Sequence, residues 1–131
     1  MPLKTVVEAK ASDFEEVFEK FRAENAEIKL LLFLADKDPS TNLSWCPDCN
    51  VAEPVIYKKL SAWGADVALL KAFVGGRPTW RNPSHPFRAD PMFKLNGVPT
   101  LMRLEEDAIK GRLEDYEAHI ESKIDALLAS V

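Results

Sequence analysis

Two long apolar runs, at residues 28–35 and 67–74, dominate the hydrophobic pattern of this chain. Apolar runs that do not alternate with polar residues are typical of strands buried on both faces of a sheet. A shorter strand is predicted over residues 5–9, before the first of these runs. After the second run, residues 98–104 and about 109–113 are predicted to form a hairpin around an acidic turn. The pattern therefore predicts five strands.

Apolar residues with helical spacing lie between these strands. The apolar face of the first predicted helix consists of Phe14, Val17, Phe18 and Phe21. Ser12 and Glu15 match a capping box at the start of that helix. A second helix is predicted to begin at Pro47, because a proline at the first helical position gives up no hydrogen bond. Pro54 is expected to kink this helix.

Two further helices are predicted in the second half of the chain. Residues 75–91 form a long loop that leads into a short helix near residues 86–95, which Asn96-Gly97 ends. The apolar face of the last helix consists of Leu113, Tyr116, Ile120, Ile124 and Leu127. The element order β-α-β-α-β-α-β-β-α predicts an α/β fold whose central mixed sheet has helices on both faces. A length of 131 residues suits one domain over residues 1–131.

Composition and charge exclude several classes of protein. The formal net charge of −4 argues against a general nucleic-acid binder, which would usually be basic. No apolar run approaches the roughly 20 residues that span a membrane. The N-terminus also lacks the apolar region of a secretory signal. We therefore expect a monomeric cytoplasmic protein that binds neither nucleic acid nor a membrane.

The only two cysteines, Cys46 and Cys49, form a Cys-x-x-Cys pair, which points to redox or metal chemistry. At the start of a helix, the dipole and the unpaired N–H groups favour the Cys46 thiolate. Cys49 lies one turn inside the helix and is expected to be more buried. Cys46 is therefore the predicted nucleophile and Cys49 the resolving cysteine of a redox-active disulfide.

A zinc ion or an iron–sulfur cluster on the cysteines is the main alternative. Further zinc ligands would have to be His85 and His119, the only histidines, which lack the His-x₃₋₅-His spacing of such sites. We therefore predict that no metal is bound. A second alternative is an adaptor that binds partners without turnover, against which the intact cysteine pair argues.

Two acidic residues lie close to the cysteine pair. Asp48 either competes with the Cys46 thiolate for the positive end of the helix dipole, which raises the pKa of Cys46, or is only a favourable first-turn residue. Glu53 lies one turn beyond Cys49. It either accepts the Cys49 proton, directly or through water, or is an exposed helix residue.

Val98-Pro99 begins a predicted strand and is the second candidate feature. The bond to Pro99 is either cis, with Val98 offering its backbone polar groups to an extended substrate, or that of an ordinary edge-strand proline.

Charge is unevenly distributed around the loop at residues 75–91. Arg77, Arg81 and Arg88 lie there, with only Asp90 to offset them nearby. These arginines either favour substrates that carry carboxylate or phosphate groups or form an ordinary solvated surface.

The motif Trp45-Cys46-Pro47-Asp48-Cys49, followed by Pro54 and by Val98-Pro99-Thr100, resembles thioredoxin. A narrower resemblance is to the Clot-type thioredoxin-like proteins, also called thioredoxin domain-containing protein 17. It rests on the same motif, on Ala52-Glu53-Pro54 and on the longer loop at residues 36–44. It also includes the segment Gly76-Arg77-Pro78-Thr79-Trp80-Arg81-Asn82-Pro83.

This resemblance implies a thioredoxin fold in which Pro99 is cis and faces the Cys46 sulfur, with Trp45 and Pro47 supporting the cysteine pair. It implies a cytosolic reductase of small disulfides such as cystine, S-nitrosothiols and some protein disulfides. Electrons would come from NADPH through thioredoxin reductase, without a bound cofactor. The sequence leaves the glutathione system open as the alternative donor. Thioredoxins also bury an aspartate in the strand before the motif, where this chain has Leu32. Glu53 is therefore the candidate substitute base.

Overall fold

The protein is built on one five-stranded mixed sheet, and the computed structural model describes residues 3–130. The strands are β1 (Leu3–Lys10), β2 (Ile28–Leu34), β3 (Val67–Phe73), β4 (Thr100–Glu105) and β5 (Ala108–Leu113). Their spatial order is β1-β3-β2-β4-β5. The first three of these run parallel, and β4 runs antiparallel to both of its neighbours. The predicted α/β class with a mixed sheet is confirmed.

Helices connect these strands in a slightly different order from the predicted one. They are α1 (Phe14–Arg22), α2 (Pro47–Ala62), α3 (Arg77–Arg81), α4 (Pro86–Ala89) and α5 (Glu121–Ala129). Two short helices, each with a proline in its first turn, occupy the segment where the sequence predicts one. α4 ends at Ala89 and not at Asn96-Gly97. The Asp90 carboxylate turns the chain there by accepting the Met92 N–H at 2.8 Å.

Helices cover both faces of the sheet. Successive residues of a strand point to opposite faces, so neighbouring residues of one strand contact different helices. Phe33 of β2 points toward α1, and its ring lies 6.4 Å from that of Phe14. Leu32, one residue earlier, pairs in register with Lys71 of β3. Lys71 contacts Glu53 of α2 on the opposite face. The central strands are therefore buried on both sides, as their uninterrupted apolar pattern predicts, and α2 lies on the face opposite α1.

The predicted capping box at the start of α1 does not form. Asp13, and not Ser12, occupies the N-cap position, and no side chain caps the helix there. The Asp13 carboxylate instead turns back and accepts the Lys10 N–H at 2.7 Å. The turn after β1 therefore delays the helix by one residue and leaves Glu15 without its capping partner.

The predicted last helix is wrong in its first two turns. Leu113 ends β5, and Tyr116 is 71% exposed in a turn before α5. The Glu117 carboxylate accepts the Glu114 N–H at 3.0 Å and stabilises that turn. Apolar residues with helical spacing therefore continue across a strand end and a turn. The buried residues of α5 itself are Ile124, Leu127 and Leu128.

Candidate active site

The two cysteines lie together at the N-terminus of α2, and both are free thiols. Cys46 is the N-cap residue and has an extended backbone, with φ −99° and ψ 106°. This conformation turns its side chain over the first helical turn, where the sulfur accepts the Cys49 N–H at 3.2 Å. Cys46 is 7% exposed and Cys49 is 2% exposed, so Cys46 is the more accessible of the two.

The two thiols have pKa shifts of opposite sign. The hydrogen bond from the Cys49 side chain lowers the pKa of Cys46 to about 7, against the opposing effect of burial. The same hydrogen bond, together with burial, raises the pKa of Cys49 above its ordinary value. Near neutral pH the proton of the pair therefore resides on Cys49. A thiolate, which is the species that attacks disulfides, is available at Cys46.

Asp48 opposes the formation of this thiolate. It lies in the first turn of α2, directly after Pro47, and its side chain is exposed. Its negative charge raises the pKa of Cys46, although the hydrogen bonds from Cys49 outweigh that effect. The electrostatic interpretation of Asp48 stays a prediction, which substitution of this residue can test.

Replacing Asp48 with asparagine is expected to lower the pKa of Cys46, because it removes the nearby negative charge. Alkylation of Cys46 by iodoacetamide at pH 6 should become roughly twofold faster, as more of the thiol is ionised. The rate is measured across pH in fully reduced protein, with Asp66→Asn, an exposed carboxylate before β3, as the control. An unchanged midpoint for Asp48→Asn would leave Asp48 as a first-turn residue only.

Trp45 is fixed beside the cysteine pair by the segment that follows β3. Its indole N–H donates to the Gly75 carbonyl at 3.1 Å. The Arg77 guanidinium lies over the indole ring, 4.9 Å from its centroid, and donates to the Trp45 carbonyl at 3.0 Å. Gly75 has a φ of 97°, which glycine adopts readily because it lacks a Cβ atom. The chain can therefore turn sharply here and place a cation at the rim of the site.

The three arginines singled out in the sequence occupy different environments. Arg77 is exposed and contacts Trp45. Arg88 stacks on the Trp80 ring at 3.6 Å and donates to the Trp80 carbonyl at 2.9 Å. Arg81 is exposed at the end of α3 and makes no ion pair with any residue in the range 3–130. Of the three, Arg77 is thus the one in contact with the cysteine motif.

The segment before β4 lies against the Cys46 sulfur. The Val98–Pro99 peptide bond is cis, as the resemblance to thioredoxin implies. The Val98 carbonyl lies 3.5 Å from the Cys46 sulfur. Thr100 fixes the preceding turn, since its hydroxyl donates to the Gly97 carbonyl at 2.7 Å. A backbone edge with hydrogen-bonding groups therefore borders the nucleophile.

Glu53 is buried and belongs to an ion-pair network that links α2 to the neighbouring loop and strand. One carboxylate oxygen lies 2.8 Å from the Lys37 ammonium, and the other lies 3.1 Å from that of Lys71. Lys71 also pairs with Glu8 at 3.2 Å. Burial lowers the pKa of Lys71, but the neighbouring Tyr57 and the ion pair with Glu53 outweigh burial and raise it. The interpretation of Glu53 as an exposed helix residue is therefore wrong.

The two lysines of this network are absent from the sequence-based prediction of the site. A signal for Lys71 does exist, because it is the one charged residue in the apolar strand VALLKAF. A lysine buried in a sheet needs an anionic partner. Lys37 gives no such signal, since it lies in a polar loop where charged residues are ordinary.

Similarity to known proteins agrees with this fold. Residues 8–130 match the model of the thioredoxin domain of thioredoxin domain-containing protein 17-like proteins. The chain belongs to this family. The thioredoxin-like protein Clot of Oryza sativa subsp. japonica is 55% identical over 93% of this chain and 94% of its own length. Clot of Arabidopsis thaliana is 50% identical over 98% of both chains.

Solved structures of other proteins have the same fold as this member of the thioredoxin domain-containing protein 17-like family. The short form of spinach chloroplast thioredoxin f superposes with a TM-score of 0.62 at 18% identity. The match covers 98% of this chain and 96% of that one. The predicted thioredoxin fold is thereby confirmed. With Cys46 and Cys49 at the start of α2, this fold indicates thiol–disulfide redox chemistry.

His85, one of the two candidate zinc ligands, has a structural role in this family member. Its Nε2 lies 2.8 Å from the Val74 carbonyl, and its Nδ1 accepts the Phe87 N–H at 3.1 Å. Both ring nitrogens are therefore used in positioning the segment between α3 and α4.

Across residues 3–130, no cluster of three or more His, Cys, Asp or Glu side chains is arranged to hold a metal ion. No helix in that range has the length and apolarity to cross a membrane.

Proposed function

We propose that this protein is a disulfide reductase that acts on protein disulfides and small disulfides in the cytoplasm by thiol–disulfide exchange. The observation that supports this most directly is the asymmetry of the dithiol. Cys46 is the more accessible thiol and has a pKa of about 7, whereas hydrogen bonding and burial raise the pKa of Cys49. The Cys46 sulfur can thus attack as a thiolate, while the Cys49 sulfur stays protonated until the second step of the reaction.

The proposed reaction proceeds through a mixed disulfide. The Cys46 thiolate attacks one sulfur of the substrate, its S–S bond breaks, and the other sulfur leaves as a thiolate. Cys49 then loses its proton and attacks the Cys46 sulfur. That step forms the Cys46–Cys49 disulfide and releases the second substrate sulfur as a thiolate. The substrate gains two electrons in total, and the two released thiolates take up protons.

Two neighbouring features have proposed roles in this cycle. The backbone of Val98 and the ring of Pro99 form the edge against which an extended substrate lies, beside the Cys46 sulfur. Glu53 is the proposed acceptor of the Cys49 proton, directly or through water. It is the buried carboxylate one turn beyond Cys49 on α2.

The experiment that tests the proposed function compares electron donors and substrates side by side. NADPH with thioredoxin reductase, and NADPH with glutathione and glutathione reductase, are each supplied to the protein with cystine or with a protein disulfide. NADPH consumption that depends on the protein supports a reductase, and the donor that sustains it identifies the reducing system. Absence of turnover with both donors and both substrates would contradict the proposal.

Arg77 is the proposed selector for substrates that carry a carboxylate. Its guanidinium is exposed above Trp45 and can donate to a carboxylate oxygen. Arg77→Gln should lower kcat/KM for cystine roughly threefold to tenfold at low salt and leave an uncharged small disulfide almost unaffected. The loss should shrink at high salt, where exposed charges are screened.

The control for this variant is Arg81→Gln, which removes an exposed charge from the same short helix without touching Trp45. It should change kcat/KM for both substrates equally little. Equal losses with charged and uncharged substrates in Arg77→Gln would instead assign Arg77 to holding Trp45 in place.

A further inference from the structure

A hydrogen-bonded clamp joins the loop before the dithiol to α2. Asn50, the residue after Cys49, accepts the Ser44 N–H through Oδ1 at 2.9 Å. It also donates through Nδ2 to the Ser44 carbonyl at 2.9 Å. A single amide side chain thus satisfies both backbone polar groups of Ser44, as a neighbouring strand would. These two hydrogen bonds are called the Ser44–Asn50 clamp below.

The Ser44 hydroxyl extends the clamp to Cys46. Its Oγ accepts the Cys46 N–H at 3.1 Å and donates to the Ala35 carbonyl at 3.3 Å. Ala35 directly follows β2, so the hydroxyl connects the nucleophile to the end of a central strand. On the other side of Cys46, its carbonyl accepts the N–H groups of Cys49 and Asn50 at 3.1 and 3.2 Å. The peptide groups before and after Cys46 are both fixed.

Resting on the proposed reductase function, we propose that Asn50 is a positioning residue that, through Ser44, holds Cys46 in the orientation in which its sulfur accepts the Cys49 N–H. Asn50 itself makes no hydrogen bond to the Cys46 sulfur, whose partners are the Val98 carbonyl and the Cys49 N–H. The backbone of Cys46 must remain extended for this N-cap contact to form. If Ser44 is released, the Cys46 N–H loses its acceptor, and the preceding peptide is then held only through its Trp45 carbonyl, which accepts from the exposed Arg77.

The loop before the dithiol has limited means of holding this orientation alone. Between residues 38 and 43 its hydrogen bonds are internal, such as those from the Asp38 N–H to the Leu43 carbonyl and from the Asn42 N–H to the Asp38 carbonyl. The ion pair between Lys37 and Glu53 anchors the far end of the loop. Trp45 is also tied from outside the loop, through its indole N–H to Gly75 and through its carbonyl to Arg77. The clamp is the tie that reaches the Cys46 N–H through Ser44, and its loss should act on Cys46 before it acts on the rest of the loop.

The test measures the alkylation of Cys46 by iodoacetamide across pH in reduced protein, with mass spectrometry to confirm the modified residue. In Asn50→Ala, the midpoint of the pH profile should rise toward the value of about 8.5 that is ordinary for a thiol. The rate at pH 7 should fall about fivefold, while the plateau at high pH stays unchanged. A purely structural defect would lower the melting temperature without moving this midpoint.

Companion variants separate the clamp from other effects of substitution. Ser44→Ala keeps the backbone groups of the clamp but removes the acceptor of the Cys46 N–H, so it should raise the midpoint as well. The double variant with Asn50→Ala should add little, because Asn50 acts on Cys46 through the Ser44 hydroxyl. Ser44→Thr keeps the hydroxyl and should restore the wild-type midpoint. Val51→Ala, an exposed neighbour on α2 without polar atoms, is the matched control.

The alkylation assay needs neither a reductase nor a disulfide substrate, so it distinguishes this proposal from the proposed function. A raised midpoint in a protein that reduces no substrate would support the positioning role and contradict the reductase function. A wild-type midpoint in both Asn50→Ala and Ser44→Ala would overturn the positioning role, whatever the turnover of the wild-type protein.

Discussion

Cys46→Ser is expected to abolish disulfide reduction, whereas Cys49→Ser is expected to retain the first attack and to accumulate as a mixed disulfide with its substrate. The reason is the asymmetry of the pair. Cys46 supplies the accessible thiolate, and without Cys49 no internal thiol can release the substrate. Turnover measured by NADPH consumption should fall to the uncatalysed rate in both variants, while mass spectrometry should find adducts only in Cys49→Ser.

The variant that lacks both cysteines is the matched control for this experiment and should form no adduct. Reduction of the trapped species with dithiothreitol should release substrate and Cys49→Ser protein in equal amounts. Adducts that form on Cys46→Ser, and not on Cys49→Ser, would reverse the two roles. Redox-dependent fluorescence of Trp45, adjacent to Cys46, offers an independent record of the wild-type cycle.

Removing the Glu53 carboxylate is expected to have the largest effect on stability. Glu53→Leu would leave the buried Lys71 ammonium with Glu8, which is largely exposed, as its remaining ion-pair partner. Loss of one member of a buried ion pair costs about 3 kcal/mol of unfolding free energy. The melting temperature should therefore fall by about 10 °C. Urea unfolding of the reduced protein measures the change in free energy, and thermal unfolding measures the change in melting temperature.

A double variant distinguishes the cost of an unpaired charge from the cost of lost packing. Glu53→Leu combined with Lys71→Leu removes both charges and should recover most of the lost free energy. If the double variant is as unstable as Glu53→Leu, the side-chain packing and not the ion pair stabilises this region. Glu16→Leu, an exposed carboxylate of α1, serves as the control and should change stability little.

Glu53→Gln tests the proposed proton transfer with a side chain of similar size. If Glu53 accepts the Cys49 proton, release of substrate from the Cys46 mixed disulfide should slow about a hundredfold in single-turnover experiments. An effect of charge alone has the opposite sign, because the unpaired Lys71 ammonium would favour the Cys49 thiolate and speed release. A faster release would therefore contradict the role of Glu53 as proton acceptor.

The chemistry of the site is predictable from the sequence because its central contacts are local. Cys46, Pro47 and Cys49 lie within one helical turn, so the hydrogen bond between the two thiols, which shifts their pKa values in opposite directions, is encoded in the same few residues. The continuous apolar runs also predict β2 and β3 well, since strands buried on both faces have no polar side. The sheet class and the position of α2 follow from these elements.

Other features depend on contacts between residues distant in the sequence. Glu53 could be called exposed because helical spacing does not reveal that Lys71, 18 residues later, points at it from the sheet. The predicted helix boundaries are wrong for a related reason. The Asp13 and Glu117 carboxylates bond to nearby backbone N–H groups in turns, and these local bonds displace the helix starts that apolar spacing predicts.

The central position of β2 has a consequence for amide hydrogen exchange. This strand is hydrogen bonded to β3 on one side and to β4 on the other, and its core side chains are fully buried. Its amide protons can therefore exchange with solvent only when the whole domain opens, and their exchange rates report global stability. Measured in the dithiol and disulfide forms, the difference in opening free energy gives the reduction potential of the folded pair relative to the unfolded chain, since 30 mV corresponds to about 1.4 kcal/mol.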